Sequence, residues 1–188
     1  VKGVVPMVAS VVQPVQQIMV QVVKDPLGTK GARLTTDITL PSRYLVFMPK
    51  SDHVGVSQRI EEGEERDRLK EIAESVSTDD GKFIVRTAAE GASEQSLKSD
   101  ADFLFRLWEK IKTRKKSQRK VGMLYEDLNL SCRVLRDFVG EEIERIRVDS
   151  KVTFDTLKTF TKDFIPELTS VLEYYTGDRP IFDLFDIE

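Results

Sequence analysis

Three short stretches carry the residue types that could do chemistry. Arg86-Thr87 closes a stretch that reads as a buried strand (Phe83-Ile84-Val85), and the small residues Ala88, Ala89, Gly91 and Ala92 follow it. A guanidinium beside a hydroxyl at a strand end can grip one phosphate, the fork of donors matching its oxygens. Spacing alone favours the plainer account, an arginine paired with one of the chain's many carboxylates. Gly28-Thr29-Lys30-Gly31 is a glycine-flanked loop with one cation, open enough for a phosphate to approach its backbone. It lacks the Lys-Ser/Thr pair of a nucleoside-triphosphate loop, and a hairpin connection explains it equally well. Thr113 to Lys120 (TRKKSQRK) packs five cations into eight residues without an acid, which reads as a solvated loop able to touch phosphates non-specifically.

The remaining candidates argue against common enzyme chemistries. His53 is the single histidine, so there is no histidine pair for zinc, and no serine or cysteine stands at a triad spacing from it. Cys132 is the single cysteine, which excludes an internal disulfide and a multi-thiolate zinc site, and points to a reducing compartment. It falls on the apolar face of a helix, where a small thiol is ordinary. Glu61 to Glu65 is an acidic cluster that reads as a solvated helix start, because a metal site needs carboxylates converging from separate elements. Phe105 and Trp108 sit at helical spacing and read as core. A metabolic enzyme using the glycine loop is disfavoured because no cofactor fingerprint accompanies it.

These residues need a scaffold, and 188 residues with 40% hydrophobic content suffice for one domain or two small ones. Net charge is −3 although 32% of residues are charged, so the distribution of charge decides more than its sum. Apolar runs are short, as at Val11-Val12-Gln13-Pro14, and none spans a bilayer. Val4 to Val12 lacks the cleavage context of a signal peptide.

The front reads as strands. Gln17 to Lys24 ends at the turn signature Asp25-Pro26-Leu27-Gly28, and Ala32 to Leu40 and Tyr44 to Met48 follow. Val1 to Gln16 reads as valine-rich strand pieces with little turn chemistry. The back reads as helices. Glu64 to Val76 places Leu69, Ile72, Ala73 and Val76 at spacings of three and four. A second helix starts at the N-cap Ser93 and dissolves in Thr113 to Lys120. A third covers Asp127 to Val139 with Leu128, Cys132, Leu135 and Phe138 inward and Gly140 as C-cap. Glu144 to Val148 alternates like a strand, Lys151 to Phe164 is helical, and Pro166 starts another helical turn. The tail from Pro180 exposes Ile181, Phe182, Leu184, Phe185 and Ile187, and the chain is expected to continue beyond Glu188. The fold class is mixed α/β (α+β), strand-rich in front and helix-rich behind.

More specific than any spacing rule is the segment VQVVKDPLGTKGARLTTDITLPSRYLVFMP, from Val20 to Pro49. With HVGVSQRI, FIVRTAAEG, RVLRDF, RIRVDS and YYTGDRPIFDLFDIE following in order, the chain from about Gln17 onward resembles the ribonuclease E/G endoribonuclease family. The resemblance implies a partial OB-fold RNA-binding domain over residues 1–36, a five-prime sensor over 37–131 and a structural RNase H-like subdomain over 132–188. The DNase I-like part, with two aspartates holding Mg2+, would follow the end of this sequence, and the cysteines of a zinc (Zn2+) dimer link would lie further on. No catalytic residue is therefore expected within the chain.

Residue by residue, the resemblance assigns Arg86 and Thr87 to the terminal monophosphate of RNA, Val46 to the first nucleotide and Lys30 to single-stranded RNA. Ser42 stands where the ribonuclease E branch carries glycine. Gln58 replaces an arginine of that branch, with Arg59 beside it. The implied protein is a cytoplasmic, homo-oligomeric endoribonuclease acting on ribosomal RNA precursor and mRNA. The competing class is an RNA-end-binding module without chemistry.

Overall fold

The computed structural model describes residues 17–139 and 142–187. The readings of Val1 to Gln16 and of Gly140 as a helix cap lie outside them. The chain divides into two units, one ending at Thr39 and the other beginning at Leu40.

In the first unit, β1 (Gln21–Lys24) pairs antiparallel with β2 (Arg33–Thr35). The turn signature at Asp25 to Gly28 sits between them, and Leu27 and Lys30 exchange two backbone hydrogen bonds of 3.1 Å. Gly28 to Gly31 is therefore part of a hairpin connection. The extended stretch expected over Ala32 to Leu40 is ordered as strand only over Arg33–Thr35 in this unit. The Gln21 side-chain amide bonds the backbone N–H and carbonyl of Thr39 at 2.8 and 2.9 Å.

The second unit is built on a four-stranded sheet of order β3-β4-β6-β5: β3 (Leu40–Pro41), β4 (Leu45–Met48), β5 (Gly55–Val56) and β6 (Lys82–Val85). β4 runs antiparallel to β3 and β6, whereas β5 is parallel to β6. Alternation decides which face is covered. Leu45, Phe47, Phe83 and Val85 are fully buried, while Val46, Met48, Lys82 and Ile84 on the other face are half-buried. The chain enters β6 through Gly81, where a side chain would meet the Met48 carbonyl oxygen at 2.6 Å.

Helices α1 (Glu64–Val76) and α2 (Glu94–Ser117) cover the buried face, α1 on β6 and α2 on β4. Their inward residues fall at the spacings read from the sequence: Leu69, Ile72 and Ala73 in α1, and Leu97, Leu104, Leu107, Trp108 and Ile111 in α2. Ser93 caps α2 by accepting the Ser96 N–H. Phe47 is ringed by Phe83, Phe105 and Trp108 at centroid distances of 5.3, 5.3 and 6.2 Å. Phe105 and Trp108 are core, as their spacing indicates.

The rest of the unit packs on α2 from its other side. Helix α3 (Leu130–Phe138) is capped by Asn129, β7 (Ile146–Val148) pairs parallel with β8 (Leu172–Tyr174), and α4 (Lys151–Phe164) lies between them in sequence. Phe103 of α2 meets Phe160 and Phe164 of α4. A 3-10 segment (Pro166–Ser170) supplies the turn expected at Pro166, and α5 (Ile181–Leu184) is a single turn within the exposed apolar tail.

Three expectations need correction. Helix α2 does not dissolve at Thr113 but continues to Ser117, its charged residues being good helix formers on a solvated face. Phe138 is 76% exposed rather than inward, because α3 ends there and its buried side is set by Cys132 and Leu135. Strand β8 lies in a stretch where the sequence signalled none; its pairing with β7 creates it.

Phe47→Ala should cost about 3–5 kcal/mol in urea unfolding, as expected for emptying a fully buried aromatic site. Phe138→Ala should stay within about 0.5 kcal/mol, and a loss comparable to that of Phe47→Ala would contradict this packing.

Candidate functional site

The C-terminal end of β6 gathers the residues singled out by sequence. Antiparallel pairing sets Leu45 opposite Val85 and Val46 opposite Ile84. The Arg86 N–H donates to the Tyr44 carbonyl at 2.8 Å, which carries residues 42–44 to one side of Arg86. On the other side, the Ser57 N–H donates to the Val85 carbonyl at 2.8 Å, bringing Ser57-Gln58-Arg59 to the same strand end. Ser42, Val46, Arg59, Arg86 and Thr87 thus belong to one neighbourhood although they span 46 positions of sequence. Lys30 belongs to the other unit, exposed at its hairpin turn.

Arg86 is exposed, and its guanidinium is not neutralised by an acid. Nη1 donates to the main-chain carbonyls of Ser42 and, at 3.4 Å, Arg43. Among the described residues it forms no ion pair, and its Nε and Nη2 have no partner. Spacing alone had favoured an ordinary arginine–carboxylate pair; the geometry replaces the carboxylate with neutral carbonyl dipoles. Thr87, half-buried, opens a 3-10 turn (Thr87–Ala89), and its hydroxyl has no partner among the described residues. A guanidinium with donors to spare beside a hydroxyl can hold an oxyanion.

The open face of the sheet continues from this pair. Val46 and Ile84 are directly paired and half-buried, and Arg86, two residues after Ile84, shares their face. Gly55 lies opposite Ile84, whose side chain would stand 3.3 Å from a Cβ there. Arg59 and Gln58 are exposed in their loop, the Arg59 N–H donating to Ser57 Oγ at 3.3 Å.

Ser42 is different in kind. It is fully buried, and its hydroxyl donates to Asp100 Oδ1 at 2.6 Å. The Ser42 hydroxyl therefore does not face the site; Ser42 acts there through its carbonyl, which holds Arg86.

Four charged residues whose role sequence reasoning missed fix the loops around Arg86. Asp100, buried on the apolar side of α2, accepts from Ser42 Oγ through Oδ1 and from the N–H groups of Tyr44 and Leu45 through Oδ2, at 3.0 and 2.9 Å. Burial pushes its carboxyl up from the ordinary range, and these hydrogen bonds oppose that shift. Arg66 fastens the opposite loop by donating to the carbonyls of Val56, Ser57 and Ile60 at 3.1, 2.8 and 2.9 Å. Glu65 forms a two-pronged pair with Arg68 at 2.7 Å and accepts the Gly91 N–H at 3.0 Å, while Arg68 donates to the Ala92 carbonyl. Gly91 has φ +71°, which a side chain rarely adopts, so the segment after Thr87 turns at a residue suited to it. Glu65 is therefore not merely part of a solvated helix start; its neighbours Glu61, Glu62 and Glu64 are exposed as expected. The bond from Arg68, followed by that from Gly91, holds the Glu65 carboxyl down at about 2.

Sequence carried a signal for the first of these. Asp100 occupies an inward position in the series Leu97, Asp100, Ala101, Leu104, and a carboxylate on a core-facing stripe asks for donors.

Beyond the 42–45 loop, a cavity of about 370 Å³ is bordered by Arg43, Tyr44, Asp100, Phe103 and Leu135, with Arg43 stacked over the Tyr44 ring at 4.8 Å. Arg86 and Thr87 do not line it; they lie on open surface. His53 is exposed in a loop, and Cys132 is buried, which raises its thiol. Among the described residues, no group of three or more His, Cys, Asp or Glu side chains is arranged to hold a metal ion. Among them, too, no helix is long and apolar enough to cross a membrane.

A small sheet backed by helices, with an unneutralised arginine at its strand end, accompanies a clear family relationship: residues 39–188 match the model of the Ribonuclease E/G family, and the chain belongs to that family. It is 59% identical over 181 residues to Ribonuclease G of Escherichia coli (strain K12), an alignment covering 96% of this chain and 37% of that protein. Ribonuclease G of Haemophilus influenzae is 55% identical over the same length, and Ribonuclease E of Nostoc sp. is 36% identical over 183 residues, 27% of its own length. The chain spans 37% of the length of these ribonuclease G relatives. The resemblance read from the motifs after Gln17 is thereby established.

Asp100→Ala should destabilise the unit by about 3 kcal/mol or more in urea unfolding, because it leaves a hydroxyl and two amides buried without acceptors. A loss under about 1 kcal/mol would show that the 42–45 loop is held by something else. The Glu65 contact carries a pH dependence. A carboxyl lowered to about 2 contributes its tether above the ordinary value of 4.5 and loses it as pH falls through 2. The Gly91 amide resonance should titrate with a midpoint nearer 2 than 4.5, and Glu65→Gln should abolish that titration. A midpoint at 4.5 would mean that the tether does not form.

Proposed function

We propose that this chain carries the RNA-binding and end-sensing part of an endoribonuclease, and that Arg86 and Thr87 receive the five-prime monophosphate of single-stranded RNA. The observation that carries this reading is the state of Arg86: its guanidinium is held by the carbonyls of Ser42 and Arg43, keeping its full charge and spare donors for an anion. A terminal phosphate, dianionic and presenting several acceptor oxygens, suits that fork and the adjacent hydroxyl. Val46 and Ile84 offer an apolar floor where the first nucleotide would rest, and Arg59 adds charge from the neighbouring loop. Ser42 contributes by orienting Arg86. The family relationship and the names of the relatives, Ribonuclease G and Ribonuclease E, support RNA as the ligand class.

In this reading, residues 37–131 are the five-prime sensor, 132–188 an RNase H-like support, and 1–36 the end of an OB-fold domain in which Lys30 touches single-stranded RNA. The full-length protein is a cytoplasmic homo-oligomer that matures the five-prime end of 16S ribosomal RNA and takes part in mRNA decay. It uses Mg2+ for cleavage and Zn2+ at a dimer link. Among the described residues, no three His, Cys, Asp or Glu side chains come together to hold either metal. Holding the end of a transcript would raise the local concentration of the following strand at a cleavage site elsewhere in the protein.

Fluorescence-anisotropy titration with short RNAs differing only in their five-prime group tests the assignment. Arg86→Ala should weaken binding of the monophosphorylated RNA by roughly ten- to a hundred-fold, the size of a charge-assisted hydrogen bond, and leave hydroxyl-ended RNA nearly unaffected. Equal losses for both RNAs would overturn the end-sensing role.

A further inference from the structure

The basic run Thr113 to Lys120 is a built surface rather than a loose loop. Thr113 to Ser117 form the last turns of α2, and the helix closes with the Gln118 N–H donating to the Arg114 carbonyl at 2.9 Å. Arg114 then reaches the Leu124 carbonyl at 3.2 Å, tying the following segment back to the helix. Lys115, Lys116, Arg119 and Lys120 project from this anchored end, all exposed, and among the described residues none of the four forms an ion pair. Elsewhere in the unit Lys70, Lys98, Lys110 and Lys151 each sit on a carboxylate, while Lys158 and Lys162 are exposed singly on α4 and, among the described residues, form no ion pair. Lys112, one turn earlier, is shared by Glu109 and Asp80, so the unpaired charge begins after it.

A helix dipole favours cations in a last turn. It accounts for Arg114, Lys115 and Lys116 but not for Arg119 and Lys120, which lie past the helix. Nor does it account for eight residues without one acid in a chain whose net charge is −3. No aromatic residue interrupts the run, so its chemistry is that of point charges meeting phosphates, without base stacking.

We infer that Lys115, Lys116, Arg119 and Lys120 form a second contact for RNA, gripping the phosphate backbone independently of sequence and of the five-prime group. It rests on the reading of RNA as the ligand. The two sites are served by the same helix: α2 holds the 42–45 loop through Asp100 and ends in the basic turn, with about 24 Å of helix axis between Asp100 and Lys116. A strand whose end lies at Arg86 carries further phosphates, and these four cations, at and just past the C-terminal end of α2, offer them a partner.

The test measures affinity for short monophosphorylated and hydroxyl-ended single-stranded RNAs across a salt series, using the chain with K115Q, K116Q, R119Q and K120Q combined. All four side chains are exposed, so thermal melting should match the parent. The slope of log affinity against log salt should become shallower by up to about 3, equally for both RNAs, and the preference for the monophosphate should persist. An unchanged slope overturns the inference. Arg86→Ala should do the converse, removing the preference while changing the slope by about one or less. If Arg86→Ala leaves the preference intact while the fourfold variant flattens the slope, the end-sensing reading fails and the backbone contact stands. If a poly-glutamate peptide of matched charge displaces the RNA as well as unlabelled RNA does, the surface is a dock for acidic protein and the inference is wrong.

Discussion

A single buried carboxylate organises the region around Arg86. Asp100 gathers a hydroxyl and two backbone amides from residues 42–45, and the observed geometry of that loop satisfies all three donors at once. The consequence appears on the far side of the same loop. With the Ser42 side chain committed inward, its carbonyl turns outward and accepts from Arg86. The orientation of the exposed guanidinium is thus determined by a group that never approaches the surface. Burial makes ionised Asp100 expensive, and its donors offset that cost; each partner is needed because the others are already committed.

The same logic separates arginines that serve structure from those left available. Arg66 spends its donors on three carbonyls of the 56–60 loop, and Arg68 is neutralised by Glu65 and tied to Ala92. Arg86 receives only carbonyl dipoles, which orient it without cancelling its charge. Sidedness matters as well: Val46, Ile84 and Arg86 lie on the sheet face that α1 and α2 do not cover, whereas Phe47, Phe83 and Val85 fill the covered one. A one-residue slip in the β4–β6 register would exchange the two sets and destroy core and site together.

How much of this was legible in the sequence depends on whether the information is local. The limits of α1 and α4 coincide with the expected Glu64–Val76 and Lys151–Phe164, because apolar periodicity is a local signal. Ser93 was readable as a cap for the same reason. Strands β5 and β8 were not, since two or three residues carry no period and exist as strands through pairing with β6 and β7. At the site, Arg86 and Thr87 stood out as a strand-end pair, and the family motifs singled out Ser42, Val46 and Arg59. That these meet required the sheet order β3-β4-β6-β5, which is long-range information. Asp100 was visible as an acid on an apolar stripe, but the loop that would supply its donors, more than fifty positions away, was not.

Helix α2 explains why a chain of nearly balanced charge can present a concentrated basic surface. Its inward stripe, from Leu97 to Ile111, fixes the helix on the sheet, and its length carries the C-terminal end beyond the core that stripe covers. Acids and bases alternate along the solvent face while the helix lies on the body of the unit, as the pairs Glu94–Lys98 and Glu109–Lys112 show. Past Lys112 the inward stripe stops and the acids stop with it. A helix fixed by a buried carboxylate near its start and by packed aromatics along its middle can hold the unpaired cations of its last turn, Lys115 and Lys116, in a fixed position, and the bond from Arg114 to the Leu124 carbonyl ties back the segment that carries Arg119 and Lys120. In this fold the basic surface and the orientation of Arg86 are therefore both consequences of how one helix is seated.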